Sequence, residues 1–113
     1  MASDERRLLS AKRLCAGRSM RREEFPEEIF GDYSWSMLML AYIARLEQRT
    51  RLATDIMAQA GVSAAVGKRW LTFLREQDLV LPGETLQLTP TAVARMDRYI
   101  DCVIELASGQ ATI

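Results

Sequence analysis

The sequence has no histidine, and only two cysteines and three prolines among 113 residues. Without imidazole, His-based acid–base catalysis, Ser-His and Cys-His nucleophile pairs and most zinc sites are excluded. Two thiols, Cys15 and Cys102, cannot fill a four-thiolate metal site or staple a small secreted scaffold, so a reducing cytoplasm is the expected location. No apolar h-region follows Met1, and no run approaches the roughly 18 apolar residues needed to cross a bilayer. The phosphate-cradling patterns GxxxxGK[ST] and GxGxxG are missing, as is the GxSxG nucleophile elbow. These absences argue against an enzyme, a metal centre or an organic cofactor, and leave binding as the expected class of activity.

An excess of charge is also lacking. Lys plus Arg and Asp plus Glu each total 15, giving zero formal net charge and a pI near 6.3. A nucleic-acid partner must therefore be argued from how charge is distributed. Arg6, Arg7, Lys12, Arg13, Arg18, Arg21 and Arg22 form a run free of acids, and Glu23, Glu24, Glu27 and Glu28 then surround Phe25-Pro26. Leu8, Ala11, Leu14 and Cys15 share one side of a helix across this run. Residues 1–30 thus read as a basic N-terminal arm helix and connector.

Stronger periodicity follows. With Asp32 as N-cap, Trp35, Leu38, Met39, Tyr42, Ile43 and Leu46 recur at helical spacing and predict one buried face. The polar run Arg45, Glu47, Gln48, Arg49 and Arg51 ends that helix. A shorter helix over 54–60 turns Ile56, Met57 and Ala60 inward and stops at Gly61, a natural left-handed cap. Ser63 caps a third helix over 63–77, with Val66, Gly67, Trp70, Leu71, Phe73 and Leu74 inward and Arg75 and Glu76 among the outward residues. Leu79-Val80-Leu81 and Thr85-Leu86-Gln87-Leu88, around Pro82-Gly83-Glu84, predict two short strands.

Thr89-Pro90 opens the last helix as N-cap and N1. Its stripe of Val93, Met96, Ile100, Val103 and Ala107 is widened by Ala92, Tyr99, Cys102 and Leu106 to an arc of about 200°, twice what a surface helix needs. The surplus predicts cover by the arm helix or by a second copy of the chain, hence a homodimer with Leu8, Cys15, Met96, Tyr99, Ile100, Val103 and Leu106 at its interface. Residues 31–90 read as a central unit and 91–113 as a C-terminal dimerisation helix and tail.

The element order is that of a winged helix-turn-helix, mainly α with a small two-stranded β-wing. Within it, GVSAAVGKRWLTFLREQDLV over 61–80 resembles the helix-turn-helix of MarR-type transcriptional regulators. Gly61 matches the turn glycine, Ser63 the cap of the recognition helix, and Leu71, Leu74, Leu79 and Val80 its core positions. Leu88-Thr89-Pro90 is similar to the motif that closes the family's wing, and the resemblance extends over about residues 32–106. It implies a DNA-binding regulator that places helix 63–77 in the major groove, with Ser63, Ala64, Ala65, Lys68, Arg69 and Thr72 facing the bases and phosphates. Thr54, near the start of the preceding helix, is expected beside a backbone phosphate.

The sequence departs from the family at its wing, where 81–85 is short and carries Glu84 with no Lys or Arg, and at Asp78, which replaces a common glycine. Zero net charge and the acidic wing favour an alternative, a module that binds another protein. A small-molecule effector would need a pocket between the dimer helices. Trp35 and Trp70 read as core aromatics, and Met20, Met37, Met39, Met57 and Met96 as core or interface filler. Cys15 and Cys102 are either two ordinary buried thiols or a redox pair joining the arm to the last helix.

Overall fold

A computed structural model describes residues 2–24 and 33–108, with the side chains of 18–24 and 108 excepted. The expected cap Asp32, the Phe25-Pro26 connector and the side chains of Arg18, Met20, Arg21 and Arg22 lie outside the described residues. The described residues form five helices: α1 (Asp4–Glu24), α2 (Tyr33–Leu46), α3 (Ala53–Gln59), α4 (Ala64–Glu76) and α5 (Pro90–Ser108). Among the described residues no helix is long and apolar enough to cross a membrane.

The expected two-stranded wing does not form, and the described residues contain no β-strand. Among the described residues two isolated antiparallel bridges occur, Val80 with Leu88 and Leu52 with Thr85. The reason is a divided segment. Leu81 N–H donates to the Gln87 carbonyl at 2.9 Å and Thr89 N–H to Leu79 at 3.0 Å, but Thr85 and its neighbours pair instead with the stretch leading into α3. There Ala53 N–H reaches the Glu84 carbonyl at 2.8 Å and Leu86 N–H the Arg51 carbonyl at 3.0 Å. Pro82, at the turn, has no N–H to extend either ladder. The regular structure of the described residues is therefore all helical, with a bridged loop where a ribbon was expected.

The single buried face expected of α2 is also too narrow. Ser36, Met37 and the unbroken run Met39 to Ala44 are all buried, because α1, α3 and α4 each pack against this helix. Such a central helix is apolar nearly all round. One core cluster joins Ala11 of α1, Met37 and Tyr42 of α2, Ile56 and Met57 of α3, Leu71 and Leu74 of α4, and Met96 and Ile100 of α5.

Three helix ends share one solution. Gln48, Gly61 and Asp78 all have positive φ, at 57°, 76° and 58°. At each, the next N–H returns to a carbonyl five residues earlier: Arg49 to Ala44 at 2.8 Å, Val62 to Met57 at 2.9 Å, and Leu79 to Leu74 at 3.0 Å. These are Schellman closures, which satisfy carbonyls that the helix leaves unpaired. Thr89 Oγ accepts from Ala92 N–H at 3.1 Å and donates to the Asp78 carbonyl at 2.8 Å, so one hydroxyl caps α5 and fastens it to the end of α4.

Candidate nucleic-acid interface

The angle between α3 and α4 is set by the turn over 60–63. Gly61 supplies the left-handed residue at little cost, and Val62, only 8% exposed, anchors the turn in the core. Gly67 then lets the helices close up, since a Cβ there would lie 2.5 Å from Met57 Sδ and 2.7 Å from its Cγ. Ser63 begins α4 in extended conformation, and its Oγ accepts from Val66 N–H at 3.3 Å. A short helix, a tight turn and a longer helix thus form one rigid unit.

Ser63, Ala64, Ala65, Lys68, Arg69 and Thr72 are all exposed along α4, and Thr54 is exposed in the first turn of α3. Neither Lys68 nor Arg69 forms an ion pair with a described residue, whereas Thr72 Oγ donates to the Lys68 carbonyl at 3.0 Å. Ala64 and Ala65 leave the start of the helix without bulk. The geometry is that of a smooth helical edge bearing two cations that have no ion-pair partner among the described residues.

On the opposite flank the expectation needs correction. Gly67, Leu71 and Leu74 are buried, but Val66 and Phe73 are exposed, Phe73 by 46%, and Trp70 is half-buried. Trp70 and Phe73 meet edge to face with centroids 6.0 Å apart. The buried arc is narrower because α4 packs chiefly against α2 and α3, both on one side. An apolar ridge remains uncovered.

The residues expected at a dimer interface divide. Met96 and Ile100 lie in the chain's own core, Leu8, Cys15 and Val103 are half-buried, and Tyr99 and Leu106 are exposed by 44% and 46%. Although α1 packs against α5, the surplus apolar arc stays largely uncovered, since Tyr99, Cys102 and Leu106 are exposed and only Ala92 of the widening residues is buried. Tyr99 packs edge to face on Trp35 at 5.1 Å, beside a cleft of about 270 Å³ whose walls include Leu38, Leu88 and Met96, with Arg95 at its rim. Cys15 and Cys102 are not joined in a disulfide, and Cys102 is exposed rather than buried.

Periodicity missed a charged cluster between α1, α2 and α5. Arg7, within the basic arm, is 8% exposed and bonds Asp101 through Nε to Oδ1 at 2.8 Å and Nη2 to Oδ2 at 2.9 Å. Its Nη1 reaches Asp4 at 3.2 Å and Asp97 at 3.8 Å, and Tyr42 donates its hydroxyl to Asp97 at 2.6 Å. The hydrogen bonds from Arg7 hold the Asp101 carboxyl below its usual range against the opposing effect of burial. Burial, then the bond to Asp97, push the Tyr42 phenol above its usual value. One guanidinium shared among three carboxylates, one of which also accepts from Tyr42, ties α1, α2 and α5 together, so this cluster fastens helices. Among the described residues no three potential ligands converge to hold a metal ion.

The chain matches no family model, no curated protein and no solved structure.

Proposed function

We propose that the protein is a DNA-binding regulator that lays the exposed edge of α4 in the major groove and works as a homodimer. The carrying observation is the N-terminal half of α4, where Ala64 and Ala65 remove bulk and Lys68 and Arg69 stand outward without ion-pair partners among the described residues. A B-DNA major groove about 12 Å wide accepts such a helix, and an arginine can bond guanine O6 and N7 together. The class is the one that residues 61–80 resemble. Support for a second copy is the pair of exposed apolar side chains Tyr99 and Leu106 on α5, with half-buried Trp35 packed edge to face on Tyr99.

Fluorescence anisotropy with labelled duplexes, at several salt concentrations, tests the reading, with sedimentation reporting the oligomeric state. Salt-sensitive binding that the Lys68→Ala/Arg69→Ala variant loses supports it. Absence of binding by the folded protein at about 50 mM salt overturns it. The ridge of Val66, Trp70 and Phe73 favours a second reading, in which α4 docks on another protein. In that case Phe73→Ser would abolish partner binding while Lys68→Ala leaves it intact.

A further inference from the structure

We infer that the corner where α2 turns into α3 is a second phosphate-binding surface, gripping the backbone of the same duplex beyond the reach of α4. The inference rests on the groove-docking reading for its partner and on separate residues for its chemistry. In a chain of zero net charge, this corner gathers Lys12, Arg45, Arg49 and Arg51 around one acid, Glu47. Glu47 is shared between Lys12 Nζ at 3.0 Å and Arg49 Nη1 at 3.6 Å. Arg45 has no ion-pair partner among the described residues, and Arg51 spends its Nη1 on the neutral Gln59 side chain at 2.6 Å. Positive charge is therefore in local excess.

The backbone creates this crowding. The left-handed Gln48 closes α2 and folds Arg49 back against its last turn, where Arg45 already stands. Cations at a helix C-terminus are favoured by its dipole, which offsets part of their mutual repulsion. Two clefts share Arg49. One, of about 330 Å³, lies between Arg45, Thr50 and Gln87, and the other, of about 300 Å³, between Lys12, Arg51 and Gln59. Each joins cationic and neutral hydrogen-bonding groups in a concave surface, the chemistry that receives a phosphate diester.

Position favours the duplex over an acidic polypeptide. Arg51 is tied to Gln59, two residues before the Gly61 turn that launches α4, so the basic strip leads to the helix proposed to enter the groove. A groove-docked helix is flanked by backbone phosphates, and those contacts fix its register without reading bases. Glu47 moderates the grip by neutralising part of the strip.

The test compares four full-length proteins, wild type, Arg45→Gln/Arg49→Gln, Glu47→Gln and Lys68→Ala/Arg69→Ala, binding a labelled random-sequence duplex between about 50 and 200 mM salt. Two lost phosphate contacts should lower the slope of log K against log salt by about 1.8, and freeing the partners of Glu47 should steepen it by about 1. The second change is a gain, which misfolding cannot imitate. If wild type binds, the α4 variant fails and both corner variants match wild type, the strip is overturned and groove docking stands. If the corner variants shift but the α4 variant does not, the strip stands and groove docking falls. Binding by none overturns both, and polyglutamate competing as well as unlabelled duplex at equal charge would reassign the strip to acidic proteins.

Discussion

Arg7 and Asp101 are joined by two parallel hydrogen bonds, 2.8 and 2.9 Å long, across the seam between the first and last helices. The fork geometry needs a planar guanidinium and a carboxylate in register, so it fixes both the rotation and the height of α1 against α5. Ala11, fully buried one turn further along α1, extends the contact into the core. The basic arm is consequently part of the body of the protein, at least where its side chains are described.

Removing the guanidinium should cost more than an exposed ion pair is worth, because Asp101 and Asp97 would be left in a partly desolvated seam. Arg7→Ala is expected to lower stability by about 2–3 kcal/mol, against under about 1 kcal/mol for an exposed pair. Arg7→Lys should recover only part, since an ammonium cannot make the fork. Urea unfolding of the three proteins checks this, and an unchanged midpoint for Arg7→Ala would contradict the fastening role.

The same pair sets an acid limit. A carboxyl held below its ordinary pKa contributes stability that is present above that ordinary value, near pH 4, and lost as pH falls through the lowered one. Wild type and Asp101→Asn should differ clearly at about pH 7, and the difference should shrink as pH falls below about 4. Tyr42 gives the opposite limb, because its phenol is raised: that stabilisation is present below about pH 10 and fades as pH rises further. Urea midpoints for Asp101→Asn and Tyr42→Phe across this range report both, and a gap independent of pH would remove the linkage.

These contacts show where sequence pattern stops being informative. The extent and capping of α4 were legible because Ser63, Gly61 and the Leu71, Leu74 spacing encode local geometry. The Arg7 cluster was not, since helical periodicity sorts residues by polarity, and Asp97 and Asp101 look solvent-facing until a buried cation is placed opposite them. Val66 and Phe73 were misassigned for the converse reason, because apolar character does not supply a covering neighbour. The absent wing is a competition between partners. Residues 84–86 found the stretch before α3, which local strand propensity cannot foresee. Of the candidate site, the exposed positions were legible and the basic corner only as a polar helix end.

Gly67 offers a test of the α3–α4 junction. Alanine is the better helix former by about 1 kcal/mol, so a surface position would gain from the change. Here the new methyl meets buried Met57 at 2.5–2.7 Å, and displacing that side chain should turn the gain into a net loss of about 1–2 kcal/mol. A double-mutant cycle with Met57→Ala should be non-additive, with the alanine at position 67 better tolerated once Met57 is shortened. Additivity would mean that the helices do not meet there.

The left-handed caps make a graded set. Gly61→Ala should cost about 1 kcal/mol, because a Cβ is forced into that conformation. Gln48→Gly should gain about 0.5 kcal/mol after the added freedom of the unfolded chain is counted, and Asp78→Gly less, since aspartate tolerates the region better than glutamine. Thermal melts should place Gln48→Gly highest, then Asp78→Gly, and Gly61→Ala lowest. Destabilisation by Gln48→Gly would show that its side chain contributes more than its conformation costs.

Specificity gives the sharpest separation between Lys68 and Arg69 of α4. Arg69, exposed and without an ion-pair partner among the described residues, has the geometry for guanine, whereas Lys68 is a compact charge suited to a phosphate. Once a preferred duplex has been selected from a random pool, Arg69→Ala should lose about 1–3 kcal/mol of discrimination between that duplex and a scrambled one. Lys68→Ala should weaken both duplexes alike and lower the salt slope by about 1. A uniform loss for Arg69→Ala would demote it to a phosphate contact and move base reading to Ser63 or Thr72. If neither change alters binding by a folded protein, α4 does not enter the groove, and the apolar ridge of Val66 and Phe73 becomes the surface to pursue.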